Sequence, residues 1–281
     1  MLTTATTLRD QAQATRAASR LLAAASAEMK NLALLAIAKS IETNRVMILH
    51  ANEQDLQTAT EDALDFQLIE RMTLDNARIR DMADAARKIA ELDDPIGEVL
   101  EKRTMPNGLQ LERVRVPLGV IGVIYESRPN VTVDIAALCL KSGNAVILRG
   151  GSEAIHSNMA LAHLIRNAIT EAGVPADAVQ LIEDTDRTLV TQMLRLDQYI
   201  DLLIPRGGSE LIRRVATEAT MPVVTGGIGV CHTYVDSSAA VEMAVDIVFN
   251  AKVQRPSVCN AMDTVIVHSA IAPRYLPRIA E

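Results

Sequence analysis

Residues 117–158, PLGVIGVIYESRPNVTVDIAALCLKSGNAVILRGGSEAIHSN, contain the pattern that decides the fold. Within them the short apolar runs VIGVIY, at 120–125, and AVILR, at 145–149, stand on either side of a helical segment. Short continuous apolar runs are typical of buried strands. Two such strands joined by a helix indicate a parallel β-α-β unit, so the stretch predicts an α/β fold.

The same alternation continues toward the C-terminus. Further apolar runs, again separated by helical segments, are AVQLIE (178–183), YIDLLIP (199–205), PVVT (222–225) and TYVD (233–236). Repeated units of this kind place their strands side by side, with helices on both faces of the sheet. We therefore predict a doubly wound parallel sheet.

The residues before this sheet are typical of helices. From Thr4 to about Asp93 helix-forming residues dominate, and neither glycine nor proline occurs. Breaks near 43–44 and 62–65 predict three or four helices. A β-hairpin is predicted around residues 106–108, Pro-Asn-Gly, because Asn-Gly accepts a positive φ at both turn positions.

The sequence Arg-Gly-Gly-Ser-Glu occurs twice, at 149–153 and 206–210, each time between an apolar strand and a helix. Glycines let the backbone approach a ligand, and a helix N-terminus offers N–H groups and a positive dipole end to an anion. Either turn alone is equally well explained as a tight turn before a serine cap. Two equivalent turns with arginines favour a nucleotide. The residues predicted to bind it are Arg149, Gly150, Gly151, Ser152, Arg206, Gly207, Gly208 and Ser209.

Composition excludes several classes of partner. A net charge of -7, two Phe, four Tyr and no Trp argue against a nucleic-acid surface, which needs clustered cations or stacking aromatics. No apolar run approaches the ~20 residues that cross a bilayer, so no membrane partner is expected. The three cysteines are widely spaced and form no C-x-x-C pair, so neither a disulfide framework nor a metal site is predicted. This cysteine usage fits a reducing, cytoplasmic setting.

Residues 237–260 combine a helix with a cysteine that follows it. Asp236 or Ser237 is expected to cap this helix. The apolar residues that recur at helical spacing on one face are Val241, Ala244, Val245 and Val248. The chain then passes the cations Lys252 and Arg255 before reaching Cys259.

Cys259 is the candidate nucleophile. Nearby cations favour the thiolate, which is the form of cysteine that attacks carbon. The alternative is that Cys259 is a small buried hydrophobe, as free cysteines often are.

Two stretches resemble one enzyme family. NAKVQRPSVCNA, at 250–261, resembles the active-site segment of the gamma-glutamyl phosphate reductases, and residues 117–158 resemble the same family almost word for word. This family is part of the aldehyde dehydrogenase superfamily, and the resemblance extends over the whole chain. It implies an aldehyde dehydrogenase-like α/β fold, with a helical N-terminal segment on a Rossmann-like doubly wound parallel sheet that binds NADPH or NADP.

The resemblance also implies a reaction, the second step of proline biosynthesis. Cys259 is expected to attack the γ-carbonyl of L-glutamyl 5-phosphate, so that phosphate leaves and a thioester remains. Hydride from NADPH then gives L-glutamate 5-semialdehyde. Hydrolytic members of the superfamily carry a glutamate before the cysteine to activate water. No glutamate occurs between Met221 and Val241, as expected for an enzyme that must protect its thioester from water.

Cofactor preference is predicted from two positions. In the superfamily, a lysine after the strand equivalent to AVILR and a glutamate three residues later hold the adenosine ribose. Arg149 and Ser152 fall at these positions here. Ser152 removes the repulsion between a carboxylate and a 2′-phosphate, and Arg149 attracts that phosphate, so NADP is preferred to NAD. The alternative is that Ser152 only caps its helix.

The remaining predicted site residues lie near the sequence YESRPN. Asn130 is the candidate side-chain donor to the oxyanion, together with the backbone N–H of Cys259. The alternative for Asn130 is a helix N-cap. Arg128 falls at the superfamily's asparagine position, and it could donate to the oxyanion or hold the acyl phosphate. Arg128 and Arg255 are the residues predicted to bind the substrate.

The resemblance also divides the chain. Residues 1–254 are expected to form the N-terminal helices and the cofactor-binding domain, and 255–281 the beginning of the catalytic domain. Family members continue well beyond IAPRYLPRIAE, so the chain resembles a C-terminally truncated member. We expect a small acyl phosphate as substrate, and the full-length protein could form a homo-oligomer. The alternatives are an inactive nucleotide-binding fragment of that enzyme and an acyl-CoA-reducing relative.

Overall fold

The computed structural model describes residues 7–226, 229–256 and 258–281. The helices are α1 (Leu8–Leu22), α2 (Ala27–Thr43), α3 (Arg45–Glu61), α4 (Phe66–Met72), α5 (Asn76–Glu91), α6 (Asn130–Lys141), α7 (Ile155–Glu171), α8 (Thr188–Met193), α9 (Ser209–Glu218), α10 (Val241–Val253) and α11 (Ala272–Ala280). The strands are β1 (Val99–Thr104), β2 (Gln110–Val114), β3 (Val120–Tyr125), β4 (Ala145–Arg149), β5 (Val179–Leu181), β6 (Leu202–Arg206), β7 (Cys231–Val235) and β8 (Met262–Val267).

The chain forms two compact units, Met1–Thr225 and Gly226–Glu281. The predicted boundary between residues 254 and 255 falls inside the second unit. That boundary marks where the catalytic part is expected to begin, and it stays a prediction. None of the helices among the described residues combines the length and the apolar character that a bilayer crossing needs.

Within residues 7–119, five helices rather than the predicted three or four precede the sheet. The predicted breaks at 43–44 and 62–65 are confirmed, because α2 ends at Thr43 and α4 begins after Asp65. Two further breaks were missed. Ser26 accepts a hydrogen bond from the backbone of Met29 and Asp75 one from that of Arg78, so these caps start helices without any glycine or proline.

The hairpin at 106–108 is confirmed, but its turn differs from the prediction. β1 and β2 pair antiparallel, and the N–H of Gly108 donates to the carbonyl of Met105 at 2.8 Å. Gly108 has a φ of 86°. Asn107 does not have a positive φ, since the described non-glycine residues that do are Ala63 and Ser127. Only the glycine therefore takes the left-handed conformation, as in a three-residue hairpin loop.

The central sheet has four parallel strands in the order β5-β4-β3-β6, which confirms the α/β class and the doubly wound topology. Its middle strands are β3 and β4, and every residue of both is buried. This burial on both faces explains why their sequences are continuously apolar. The predicted strand at 222–225 is reduced to one parallel bridge between Val223 and Leu203.

Helix α1 is tied to the sheet by an ion pair. Both terminal nitrogens of Arg16 donate to the carboxylate of Asp201, at 2.6 and 2.8 Å. The same carboxylate accepts the N–H of Val120, the first residue of β3, at 2.7 Å. A Cβ atom at Gly119 would collide with Asp201, so glycine is required beside this pair.

The second unit is a β-α-β arrangement of its own. β7 and β8 pair in parallel and α10 connects them, so the predicted strand at 233–236 exists but does not join the central sheet. The predicted inward face of α10 is confirmed, since Ala244 and Val248 are buried. The predicted cap is wrong: the N-cap is Ala240, and Asp236 instead accepts the N–H of Ser238 at 2.9 Å.

Candidate active site

The strand order places a crevice between β3 and β6. The chain runs from β3 through β4 to β5 on one side, and β6 lies on the other side of β3. Ligands of doubly wound sheets bind outside the carboxyl ends of the strands, where the strand order reverses in this way. Here that point lies beyond Tyr125 and Arg206, the last residues of β3 and β6.

Glu126, the first residue after β3, reaches the second Arg-Gly-Gly-Ser turn. Its carboxylate accepts the N–H of Gly208 at 3.0 Å, and its own N–H donates to the carbonyl of Arg206 at 3.2 Å. A Cβ atom at Gly207 would lie 2.5 Å from the carboxyl carbon of Glu126. Glycine at 207 therefore makes room for a protein carboxylate.

Ser127, the next residue, is fixed to the first turn. One carboxylate oxygen of Glu153 accepts both the N–H of Ser127, at 2.7 Å, and its hydroxyl, at 2.8 Å. Ser127 is buried and has a φ of 47°, a left-handed conformation that costs a non-glycine residue about 1–2 kcal/mol. We call this contact the Ser127–Glu153 clasp. Residues 126–127 thus connect the two repeated turns.

The two turns are not equivalent, contrary to prediction, because a protein carboxylate occupies the start of α7. Asp55 of α3 accepts the N–H of His156 at 3.0 Å and that of Ser157 at 2.8 Å. Asp55 is itself buried. These two N–H groups, at the start of the helix that follows the first repeated turn, therefore anchor α3 rather than receive a ligand anion.

The second turn is open. Arg206, Gly207, Gly208 and Ser209 are exposed. Gly208 is the N-cap of α9, and no side chain among the described residues caps this helix. A Cβ atom at Gly208 would meet no described atom within 4 Å. Because Glu126 already accepts the N–H of Gly208, an anion at this turn would have to bind the N–H groups that follow Gly208 at the start of α9.

Arg149 lies at the end of β4 and is 6% exposed. One of its terminal nitrogens donates to the carbonyl of Gly150 and the other to that of Thr185, at 3.0 Å for the latter. Burial lowers the pKa of its guanidinium. In this arrangement Arg149 joins the loops after β4 and β5, and its predicted contact with a cofactor phosphate stays a prediction.

The glycines of the first turn serve packing. A Cβ atom at Gly150 would collide with the side-chain amide of Asn158, and one at Gly151 with the carboxylate of Glu153. Ser152 is exposed and begins a short 3-10 turn rather than capping α7, so the predicted capping alternative is wrong for α7.

Asn130 is the first residue of α6, and its predicted role as the N-cap is wrong, because Pro129 occupies that position. Its amide nitrogen donates to the carboxylate of Asp134 at 3.0 Å. Burial raises the pKa of Asp134. An amide nitrogen carries two hydrogens, so one remains for a ligand. Arg128 lies just before α6 and is partly exposed.

Cys259 lies in a turn of the second unit and is exposed, so its alternative as a buried hydrophobe is wrong. The turn is closed by a hydrogen bond from the N–H of Ala261 to the carbonyl of Val258, at 3.1 Å. Arg255 begins this turn region, and its carbonyl accepts the N–H of Val258 at 3.3 Å. An exposed thiol on a backbone turn is accessible to a substrate.

Cys139, by contrast, is a structural cysteine. It is buried in α6, and burial raises the pKa of its thiol to about 12. A thiol with so high a pKa stays protonated at neutral pH and does not act as a nucleophile.

Sequence reasoning missed several residues of these sites. Glu126 and Ser127 lie inside YESRPN, and their position directly after a buried strand was an available signal. Asp55 gave no signal, because an acidic residue on a polar helix usually faces solvent.

Known proteins resemble this chain in sequence and in fold. Residues 2–281 match the model of the aldehyde dehydrogenase family. The gamma-glutamyl phosphate reductase of Moorella thermoacetica is 55% identical over 268 residues, which are 95% of this chain and 64% of the relative. That of Proteus mirabilis is 49% identical over 98% of this chain and 66% of its own length. The chain thus spans just under two thirds of these relatives.

Solved structures show the same likeness. The crystal structure of gamma-glutamyl phosphate reductase from Thermotoga maritima superposes with a TM-score of 0.90 at 45% identity, covering 97% of this chain and 66% of that one. Propionaldehyde dehydrogenase of Rhodopseudomonas palustris, solved with bound propionyl-CoA, reaches a TM-score of 0.71 at 19% identity, covering 98% and 57%, and shares the fold. By its sequence match and its architecture, this chain belongs to the aldehyde dehydrogenase family.

Proposed function

We propose that the protein reduces L-glutamyl 5-phosphate to L-glutamate 5-semialdehyde and phosphate with NADPH, through a thioester on Cys259. The observation that carries the proposal is the exposure of Cys259 on its turn, within a segment that resembles the active-site segment of the gamma-glutamyl phosphate reductases. The relatives are gamma-glutamyl phosphate reductases, and this name supplies the substrate class.

The chemistry needs an attacking thiolate and a leaving group. The Cys259 sulfur forms a bond to the acyl carbon while the bond from that carbon to the phosphate oxygen breaks, and phosphate leaves with the electron pair. A bound NADPH supplies the hydride that reduces the resulting thioester. Expulsion of the thiolate then releases the aldehyde and restores Cys259.

Asn130 is proposed to stabilise the oxyanion together with the backbone N–H of Cys259. The hydrogen bond from Asn130 to Asp134 fixes the orientation of the amide before substrate arrives, and preorganised donors are the most effective ones. Arg128 is proposed to hold the acyl phosphate, and Arg255, which leads into the Cys259 turn, to attract its charge.

The crevice at the carboxyl ends of β3 and β6 fits a dinucleotide. Its exposed second turn, Arg206–Ser209, combines a cation with the start of α9, where the N–H groups beyond the Gly208 N–H that Glu126 holds suit an anion. We propose that this turn holds the pyrophosphate. Arg149 and Ser152 are proposed to face the adenosine ribose. Ser152 puts no carboxylate at this position to repel a 2′-phosphate, and the carboxylate of Glu153 is turned to Ser127, which favours NADP.

The experiment runs the reaction in reverse. L-glutamate 5-semialdehyde, phosphate and NADP are supplied, and the formation of NADPH is measured. We expect turnover that requires phosphate, loss of turnover in Cys259→Ala, and little change in the matched variant Cys139→Ala. Phosphate-independent oxidation, or full activity of Cys259→Ala, would contradict the proposal. NADPH binding without turnover would identify the inactive fragment, and activity only with coenzyme A would identify the acyl-CoA-reducing alternative. The predicted homo-oligomer is also part of the proposal, and sedimentation tests it.

A further inference from the structure

The second unit brings two of the three thiols together. Cys231, the first residue of β7, pairs with Met262 of β8, and Cys259 lies three residues before Met262. The sulfur of Cys231 lies 3.5 Å from the carbonyl oxygen of Cys259. A residue 28 positions earlier in the chain therefore places its thiol against the backbone of the candidate nucleophile.

The contact belongs to a tight crossing of two loops. A Cβ atom at Gly229 would lie 2.7 Å from the same carbonyl oxygen of Cys259, and 4.0 Å from the sulfur of Cys231. Glycine at 229 is thus what lets the segment before β7 approach the Cys259 turn. The sulfur of Cys231 therefore lies in contact with the backbone that carries the Cys259 side chain. A disulfide forms only between residues whose backbones approach closely, and this contact brings the two residues together.

Both thiols are also accessible. Cys259 is exposed and Cys231 is partly exposed, whereas Cys139 is buried in the other unit. Oxidation of cysteine depends on exposure and on thiolate character, and a nearby second thiol captures the first oxidation product. The structure offers such a second thiol at Cys231.

We propose that Cys231 and Cys259 form a dithiol modification site, in which Cys231 resolves the peroxide-oxidised form of Cys259. The thiol of Cys259 loses its proton and the thiolate attacks hydrogen peroxide. The O–O bond breaks, the leaving hydroxide takes up the thiol's proton, and a sulfenic acid and one water are formed. The sulfur of Cys231 then attacks the sulfenic sulfur, whose S–O bond breaks to release a second water. The two thiols lose two electrons and two protons in total, and peroxide is reduced to two waters.

The consequence is reversible protection of the nucleophile. A disulfide masks Cys259 from its substrate and also from further oxidation to the sulfinic acid, which thiols do not reduce. A dithiol reductant attacks the disulfide and restores both thiols. This inference rests on the proposed function only for its effect on activity. Whether the disulfide forms depends on the placement of the two thiols and not on catalysis by Cys259.

The test is peptide mapping by mass spectrometry after graded hydrogen peroxide and alkylation of the remaining thiols. We expect a peptide pair linked through Cys231 and Cys259 in the whole protein, removed by dithiothreitol. Cys231→Ser should give no link and accumulate sulfinic acid at Cys259. Cys139→Ser should behave like the unmodified protein. Oxidation of Cys259 to sulfinic acid in the unmodified protein without any linked peptide would overturn the proposal.

Activity provides the second measurement, normalised to each variant before peroxide. After dithiothreitol, recovered activity should be about tenfold lower in Cys231→Ser than in Cys139→Ser, because sulfinic acid is not reduced by thiols. Equal recovery would contradict the protective role of Cys231. Turnover without a linked peptide refutes only this inference. A linked peptide in a protein without turnover refutes only the proposed reaction.

Discussion

Replacing Glu153 with alanine should loosen the connection between the first repeated turn and the segment that carries Arg128. The Ser127–Glu153 clasp contains two hydrogen bonds to one carboxylate oxygen, at 2.7 and 2.8 Å. Hydrogen bonds to charged groups contribute about 1.5–3 kcal/mol each. Their loss is offset by about 1–2 kcal/mol when Ser127 leaves its left-handed conformation. We therefore expect Glu153→Ala to lower the free energy of unfolding by about 2–4 kcal/mol.

Glu153→Gln is the conservative comparison. A glutamine oxygen can accept both hydrogen bonds but carries no charge, and neutral hydrogen bonds contribute about half as much as charged ones. The expected loss is therefore about 1–2 kcal/mol. Glu183→Ala removes an exposed glutamate and controls for the change in net charge.

Urea unfolding measures the free energies, and hydrogen exchange of the Ser127 amide reports the clasp directly. Protection of this amide should be lost in Glu153→Ala, partly retained in Glu153→Gln and unchanged in Glu183→Ala. A loss of less than about 0.5 kcal/mol in Glu153→Ala, with the Ser127 amide still protected, would show that the carboxylate does not hold the segment.

Three further outcomes are expected. Asp55→Ala removes the acceptor of two N–H groups at the start of α7 and should lower the unfolding free energy by about 2–4 kcal/mol in urea titrations; an unchanged midpoint would contradict this. Gly229→Ala forces the Cys259 turn to move and should reduce turnover about tenfold or more, whereas Gly226→Ala, whose added Cβ would meet no described atom within 4 Å, should not. Because burial raises the pKa of Cys139 from 9.0 to about 12, its proton is held more tightly in the folded protein. The stability that this protonated thiol contributes is complete below pH 9 and is lost as pH rises toward 12. The free energy of unfolding, measured by urea titration, should therefore fall by about 1–3 kcal/mol less between pH 9 and 12 in Cys139→Ala than in the unmodified protein.

The central sheet could be predicted because its signal is local. VIGVIY and AVILR are buried on both faces, so hydrophobicity alone marks them as strands. Which sheet a strand joins is decided elsewhere in the chain. The run at 233–236 resembles the others, but its partner is β8, the next strand along the chain, and nothing in the run itself distinguishes this pairing from a place in the central sheet.

The candidate site was predicted in part for the same reason. Its repeated turns are visible as identical residues, but their difference arises from Asp55, about a hundred positions before the N–H groups that it binds. The position of Ser127 after a buried strand was a signal, but its left-handed conformation was not predictable from its residue type, because that conformation favours glycine and asparagine over serine. The glycines at 150 and 151 were predicted to approach a ligand, whereas the structure packs them against protein side chains.

The pairing of Arg16 with Asp201 has a consequence for the order in which the newly made protein matures. Residue 16 leaves the ribosome long before residue 201, and the same carboxylate also receives the amide that opens β3. The pair between Arg16 and Asp201 therefore cannot form until residue 201 has been made. Once formed, it reports that the residue leading into β6 lies beside the start of β3.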